Sequence, residues 1–250
     1  MKCLPALLFF IFCSCIGFAQ PLIHSHNDYQ QAEPLTNALR YKVFSLEADV
    51  YLVNGQLLVA HDKKELATAP TLQAMYLQPI IAMYKKHRGR ISADTAYAPV
   101  LMIDVKQNGK AAITALAKLV MPYREIFDRG INAMAVQLVI SGDRGNIAGW
   151  KNYPSFILFD GRPYENYDSV TMRRIGFISD AYSNYSKPTD STHYKLQQLA
   201  AKVHAQHKLL RIWGTGDDAG WWKLQQQLGI DFINTDKVAA CREFVDRLIR

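Results

Sequence analysis

Histidines and acidic residues occur at alternating positions in three short apolar segments of the chain. His24 and His26 end the first segment, Glu47 and Asp49 lie in the second, and Asp104 lies in the third. Side chains two residues apart on a strand face the same side, so each of the two pairs shares a face. Buried carboxylates are costly unless they share a cation or several donors. The spacing therefore predicts a site for one divalent cation, and three oxygen ligands favour Mg²⁺ or Ca²⁺.

A second group follows the turn signal Asn54-Gly55, which separates the second apolar segment from another that ends in His61 and Asp62. Asn-Gly between two apolar runs is a strong β-hairpin signal. We therefore expect the chain to turn back here and to bring His61 toward the end of the second strand.

These groups predict phosphate ester chemistry. A metal held by the carboxylates would neutralise charge on a phosphate oxygen in the transition state. One histidine would take a proton from the attacking hydroxyl, and another would protonate the leaving alkoxide. The attacking group is either water or a neighbouring hydroxyl of the substrate, so hydrolysis and a cyclising lyase reaction both remain open.

The elements that must position these residues alternate between β-branched apolar runs and longer stretches with helical periodicity, a pattern typical of parallel βαβ units. Eight strands are predicted, at residues 22–26, 44–52, 100–106, 135–141, 156–160, 177–181, 209–213 and 231–235. Helices are predicted at residues 34–41, 72–86, 110–121, 143–152, 169–174, 191–207 and 220–228. A doubly wound open sheet would give a similar string of elements, but eight strands favour a single (β/α)8 TIM barrel.

The first nineteen residues have the features of a secretory signal peptide: Lys2, an apolar run and small residues before Gln20. We therefore expect one barrel domain over residues 20–250 and an exported protein, periplasmic or secreted. Cys15 after Ser14 leaves lipoprotein anchoring open. Cleavage before Gln20 would leave Cys241 as the one remaining cysteine, which excludes an intramolecular disulfide.

Charge and composition narrow the ligand classes. The chain has 250 residues, which fits one domain, and its 49% hydrophobic residues argue against disorder. A formal net charge of +7 favours anionic ligands such as phosphate esters, and it leaves peripheral contact with a membrane open. The basic residues are scattered and do not alternate with aromatic residues, so we do not expect a nucleic acid partner.

The same segments resemble a known signature. His-Ser-His-Asn-Asp-Tyr from His24, Leu-Glu-Ala-Asp-Val around Glu47 and Val-Ala-His-Asp around His61 are similar to the glycerophosphodiester phosphodiesterases and their phospholipase C-like relatives. More narrowly, the chain resembles the bacterial and fungal group described as altered inheritance of mitochondria protein 6. Weaker similarity follows at residues 103–106 and 229–236. The resemblance implies a TIM barrel of the phospholipase C-like phosphodiesterase type, acting on a small glycerol- or inositol-type phosphodiester or a phospholipid headgroup.

Carried over by position, the resemblance implies that Glu47 and Asp49 bind the metal and that Asp104 stands where the family usually has glutamate. It also implies that His61 is the second catalytic histidine. The first catalytic histidine is either His24 or His26, because both precede Asn27 where the family has one histidine followed by arginine and glycine.

The missing arginine leaves open which residue contacts the phosphate. Asn27, Lys106 and Arg211 are the candidates for that contact, and Gln137 and Trp213 are further candidates for lining the substrate pocket. Two other functions remain open: a non-catalytic barrel that binds anionic ligands, and a metal-dependent carbohydrate-processing barrel, which would need two carboxylates free of metal.

Overall fold

The computed structural model describes residues 20–185 and 190–248. In this part of the chain the strands are β1 Leu22–Ser25, β2 Ser45–Val53, β3 Gln56–Val59, β4 Val100–Val105, β5 Gln137–Gly142, β6 Ile157–Gly161, β7 Ile175–Ala181, β8 Leu210–Trp213 and β9 Phe232–Thr235. All eight predicted barrel strands are present, and their ends differ from the predicted ones by at most two residues.

Eight strands form a parallel sheet in the order β8, β7, β6, β5, β4, β2, β1, β9. The two edge strands approach each other at Leu210, whose carbonyl accepts a hydrogen bond from Asp231 N (3.0 Å) and whose N–H donates to Asp231 Oδ2 (2.6 Å). The barrel is therefore nearly closed, and the predicted (β/α)8 TIM barrel is confirmed.

The helices lie between successive strands. They are α1 Thr36–Arg40, α2 Gln78–Lys86, α3 Gly109–Val120, α4 Arg124–Phe127, α5 Ser169–Met172, α6 Asp190–His204, α7 Ala219–Gln227 and α8 Val238–Leu248. A π-helical turn, Gln73–Leu77, leads directly into α2. The predicted helices end before β9, and the structure adds α8 after this last strand.

The predicted excursion after the second strand is also present. Strand β3 pairs antiparallel with β2, in a register that places Val59 opposite Val50. Asn54 and Gly55 both have positive φ, 48° and 79°, as the tight turn of a two-residue hairpin requires. The hairpin returns the chain to β2, so that His61 reaches Asp49.

The predicted helix at residues 143–152 is wrong. Here the structure has an extended loop and one 3-10 helix, Ile147–Asn152. Gly142 and Gly145 have φ of 66° and 64°, a left-handed backbone that interrupts helical geometry on either side of Asp143. The Asp143 carboxylate instead accepts a hydrogen bond from Gly109 N (2.8 Å) at the start of α3.

Two layers fill the inside of the barrel. At the amino ends of the strands a small apolar cluster blocks the interior, and its buried members are Val100, Met102, Val139, Phe177 and Phe232. Above it, toward the carboxyl ends, the inward residues become polar and charged. The larger apolar core lies outside the sheet, between the strands and the helices. The apolar layer closes one end, so ligands can enter from the other.

The predicted signal segment, residues 1–19, lies outside the described residues, as does Cys15. Across residues 20–185 and 190–248, none of the helices has the length and apolar character that crossing a bilayer requires.

Candidate active site

Three carboxylates meet inside the barrel near the carboxyl ends of β2 and β4. Glu47 and Asp49 lie on the inward face of β2, and the sheet register places Asp104 of β4 directly beside Asp49. One oxygen from each residue lies within 4.8 Å of the others. Asp49 Oδ1 and Asp104 Oδ1 are buried without a hydrogen-bond partner among the described residues. Unpaired buried carboxylate oxygens at this spacing fit a divalent cation with a preference for oxygen ligands.

Donors from three segments converge on the other oxygen of Asp49. Asp49 Oδ2 accepts hydrogen bonds from Lys106 Nζ (2.7 Å), Tyr29 Oη (2.9 Å) and His61 Nδ1 (2.9 Å). Lys106 Nζ also binds Asp104 Oδ2 at 2.8 Å. Burial alone would lower the pKa of Lys106, but the carboxylates of Asp104 and Asp49 outweigh it and raise that pKa. Lys106 is thus a fixed positive charge between two of the three carboxylates.

Glu47 is held from the other side of the barrel. Its Oε2 accepts from His24 Nε2 (2.8 Å) and from Arg211 Nη2 (3.1 Å), and Arg211 is fixed in turn by Asn234 Oδ1. Burial would raise the pKa of Glu47, but the charge of Arg211 and the bond from His24 outweigh it, and the pKa is about 2. Glu47 is therefore ionised at neutral pH.

The carboxylates exceed the positive charges around them. Burial, and then the nearby charge of Glu47, raise the pKa of Asp104 above its ordinary value. Lys106 and Arg211 supply two positive charges against three carboxylates, so full ionisation leaves a net negative charge in a buried site. This imbalance favours a bound cation.

His24 is completely buried, and both of its ring nitrogens are in use. Burial and the charge of Arg211 lower its pKa to about 4, so the imidazole is neutral at neutral pH. An ionised carboxylate can only accept, so Nε2–H donates to Glu47 and Nδ1 accepts from Ser45 Oγ (2.6 Å). The ring has no atom left for a substrate.

His26 and His61 are placed differently. His26 Nδ1 is 2.8 Å from Asp236 Oδ1, and His61 Nδ1 is 2.9 Å from Asp49 Oδ2. The two side chains are 35% and 48% exposed. Within the described part of the chain, Nε2 of each ring makes no hydrogen bond. Each imidazole is thus oriented by a carboxylate through Nδ1–H and keeps an accessible Nε2 for proton transfer.

A second polar wall continues around the barrel from Asp104. Ser141 of β5 lies beside Asp104 in the sheet register, and its hydroxyl donates to Asp160 Oδ2 of β6 (2.9 Å). Arg162 Nη1 binds the same Asp160 oxygen at 2.8 Å. Asp160 is fully buried, and its Oδ1 has no hydrogen-bond partner among the described residues. This wall offers a further unsatisfied acceptor beside the carboxylate cluster.

The structure contradicts the prediction that Gln137 lines the pocket. Gln137 is the first residue of β5, beside Val100 at the amino end of the barrel, and its amide donates to Phe156 O (2.7 Å). Four residues of strand, about 13 Å, separate it from Ser141 at the site. Gln137 has the predicted strand face, but it lies too deep in the barrel to reach a substrate.

The remaining predicted residues are at the expected end of the barrel. Asn27 has a left-handed backbone (φ 44°) and follows His26 directly. Trp213 ends β8 with 42% of its surface exposed. Arg211 lies deeper, where its Nε and Nη2 bind Asn234 and Glu47 and its Nη1 faces the Met102 sulfur, which leaves its predicted substrate contact without support.

Several site residues were missed by sequence reasoning. Tyr29, Ser45, Asn234 and Asp236 each bind one of the predicted site residues. Tyr29, Asn234 and Asp236 lie within the segments used for the resemblance, but their roles depend on partners that are distant in sequence. The local sequence pattern gives no signal for Ser45.

Comparison with known proteins identifies the family. The AIM6-like phosphodiesterase domain model matches residues 18–131. A relative from Arthroderma benhamiae, the altered inheritance of mitochondria protein 6 homolog, is 32% identical over 272 residues, covering 89% of this chain and 83% of the relative. The chain belongs to the altered inheritance of mitochondria protein 6 family. The member from Eremothecium gossypii is 26% identical, over 89% of this chain and 69% of its own length.

Solved structures of similar fold include glycerophosphodiester phosphodiesterases from two bacteria. The one from Parabacteroides distasonis has a TM-score of 0.62 at 14% identity and covers 94% of this chain and 100% of its own. The one from Agrobacterium tumefaciens has a TM-score of 0.54 at 14% identity and covers 89% of this chain and 99% of its own. At this identity the likeness shows the fold, and the family match shows that this fold is a phosphodiesterase-type domain.

Proposed function

We propose that this protein is a metal-dependent phosphodiesterase that cleaves a glycerol- or inositol-type phosphodiester, with His26 and His61 as the acid and base. The observation that carries the proposal is a pair of partly exposed histidines, each held by a carboxylate through Nδ1. They lie at the same end of the barrel as Glu47, Asp49 and Asp104.

A divalent cation, Mg²⁺ or Ca²⁺, bound by Glu47, Asp49 and Asp104 would stabilise negative charge on the phosphate. Lys106 supplies a fixed positive charge beside it. One of His26 and His61 would accept the proton of the attacking hydroxyl at its Nε2, and the other would donate a proton to the leaving oxygen. Water as the attacker gives a hydrolase, and a substrate hydroxyl gives a cyclising lyase.

The wall formed by Ser141, Asp160 and Arg162 supports an alcohol with several hydroxyls. Asp160 Oδ1 is an acceptor without a partner among the described residues. Every side-chain hydrogen bond and ion pair of Arg162 with that part of the chain uses Nη1, so the other guanidinium nitrogens can donate. A hydroxyl can donate to the carboxylate and accept from the guanidinium at once. The names of the structural neighbours, glycerophosphodiester phosphodiesterases, support the same substrate class.

Export and contact with a lipid surface are part of the proposal. The features of residues 1–19 support a secreted or periplasmic protein. Tyr164 in the loop after β6 is 70% exposed, and Trp213 lies at the same end of the barrel. Aromatic side chains of this kind favour the interface of a phospholipid membrane, which would bring a headgroup to the barrel mouth.

The test is phosphodiester cleavage by the purified protein, followed by ³¹P NMR on glycerophosphodiesters and inositol phospholipids. EDTA should stop cleavage and added Mg²⁺ or Ca²⁺ should restore it. A monoester product indicates a hydrolase, and a cyclic phosphate indicates a lyase.

His61→Ala should abolish turnover, whereas His204→Ala, a matched exposed histidine at the other end of the barrel, should not. Tight binding of the diesters without turnover would replace the proposal with a non-catalytic binding barrel. Cleavage of glycosides alone would indicate a carbohydrate-processing barrel.

A further inference from the structure

The three carboxylates of the proposed metal site each have one oxygen bound by protein donors. Asp49 Oδ2 binds Lys106, Tyr29 and His61, and Asp104 Oδ2 binds Lys106 as well. Glu47 Oε2 binds His24 and Arg211. None of these oxygens can turn toward a cation without breaking at least one charge-assisted hydrogen bond.

The second oxygen of each carboxylate is uncommitted. Asp49 Oδ1 and Asp104 Oδ1 are buried without hydrogen-bond partners, and Glu47 Oε1 makes no hydrogen bond to any residue of the described ranges. Gly142 bounds the carboxylate of Asp104, because a Cβ at Gly142 would overlap Asp104 Oδ1. The strand backbones and these donors therefore fix each carboxylate as a single-oxygen ligand.

We propose that this arrangement selects Mg²⁺ over Ca²⁺, an inference that rests on the proposed metal site and not on the identity of the substrate. Ca²⁺ takes about six to eight oxygens at about 2.3–2.6 Å and commonly uses both oxygens of a carboxylate. Mg²⁺ takes six at about 2.0–2.1 Å and usually keeps several waters. Three single-oxygen carboxylates would supply half of a Mg²⁺ shell, which waters can complete, but they would omit the two-oxygen carboxylate contacts that Ca²⁺ commonly uses.

Lys106 has the central part in this selectivity, because it occupies an oxygen of two ligands at once. Replacing Lys106 by Met frees Asp104 Oδ2 and removes one of three donors from Asp49 Oδ2. Asp104 could then offer two oxygens, whereas Asp49 Oδ2 would keep Tyr29 and His61 as donors. The site would also gain one negative charge. The added charge strengthens the binding of either ion, but the freed oxygen favours Ca²⁺, the larger ion that accepts more ligands.

The experiment is isothermal titration calorimetry of the purified protein with MgCl₂ and with CaCl₂, which measures binding without turnover. The wild type should bind Mg²⁺ at least as tightly as Ca²⁺. Lys106→Met should shift the ratio of the two affinities toward Ca²⁺ by about tenfold or more, the scale on which residues that hold metal ligands act. Lys42→Met, which removes an exposed lysine paired with Asp94, should leave the ratio unchanged.

If Lys106→Met does not fold, Lys106→Gln tests the same oxygens with a neutral, weaker donor and should shift the ratio in the same direction. Tighter Ca²⁺ binding by the wild type, or a ratio unaffected by both lysine variants, would overturn the proposed selectivity. Metal binding with this selectivity but no diester cleavage would refute the proposed function alone. EDTA-sensitive cleavage combined with tighter Ca²⁺ binding would refute the selectivity alone.

Discussion

The structure separates the roles of two histidines that the sequence leaves equivalent, and paired alanine substitutions test that separation. His24 is fully buried between Ser45 and Glu47, whereas His26 lies at the barrel mouth with Asp236. His24→Ala removes a buried ring and leaves the Ser45 hydroxyl without its partner. The cavity and the unpaired hydroxyl together should lower the free energy of unfolding by about 2–5 kcal/mol. His26→Ala removes a partly exposed ring and should change it by about 0.5 kcal/mol or less.

Turnover should follow the opposite order. His26→Ala removes a proton-transfer group and should reduce kcat by about 10²–10⁴-fold, with no recovery at high metal concentration. His24→Ala acts through the orientation of Glu47, so its activity loss of about 10–100-fold should be reduced by raising the metal concentration. His24 is then a positioning residue, and His26 a catalytic one.

The assay combines urea unfolding with kcat measured across a metal titration, at a temperature where both variants are folded. Wild-type turnover in His26→Ala would refute the catalytic role of His26. The positioning role of His24 would be refuted if His24→Ala keeps wild-type stability and still loses turnover at saturating metal. His24 would then act directly on the substrate.

Three further predictions follow from single contacts. Gly142→Ala would place a Cβ against Asp104 Oδ1 at a residue whose φ is 66°. It should lower the free energy of unfolding by about 1–3 kcal/mol, measured by urea unfolding. It should also weaken metal binding, measured by calorimetry. Asp160→Asn should reduce the preference for a glycerol diester over its 2-deoxy analogue by about 10–100-fold, measured by competition in ³¹P NMR. Asp128→Asn changes another buried carboxylate that is bound by an arginine, and it should leave this preference unchanged. Burial raises the pKa of Asp28, so the folded state keeps this proton to higher pH than the unfolded state does. As pH rises above about 4, the free energy of unfolding of the wild type should therefore fall relative to that of Asp28→Asn. A difference between the two free energies that does not change with pH would contradict this prediction.

Much of the fold could be predicted because it follows from local patterns in the sequence. Eight apolar runs with helical segments between them specify a barrel, and Asn54-Gly55 specifies the hairpin that brings His61 to Asp49. The helix predicted at residues 143–152 failed because its periodicity ignored Gly142 and Gly145, whose left-handed backbone forms a loop.

The partners of the site residues could not be predicted in the same way. Arg211 and Glu47 are 164 positions apart in the chain, and only barrel closure brings the guanidinium to the carboxylate. This pairing makes Arg211 a residue that holds Glu47, although its type and strand face suggest a phosphate ligand. The role of a charged residue inside a barrel therefore depends on which opposite strand it reaches.

The alternation of side chains along a strand also does not specify how deep inside the barrel a residue lies. His24 lies in β1 and His26 directly follows this strand, yet a step of about 6.6 Å along the chain separates a closed polar layer from the open mouth. The pairing of His24 with Ser45 sets that depth, because it places the ring beside Glu47 and beneath the carboxylates at the mouth. The same reasoning explains Gln137, which has the correct face but begins its strand at the closed end. In a parallel barrel, the face predicts which residues point inward, and the register decides which of them can meet a substrate.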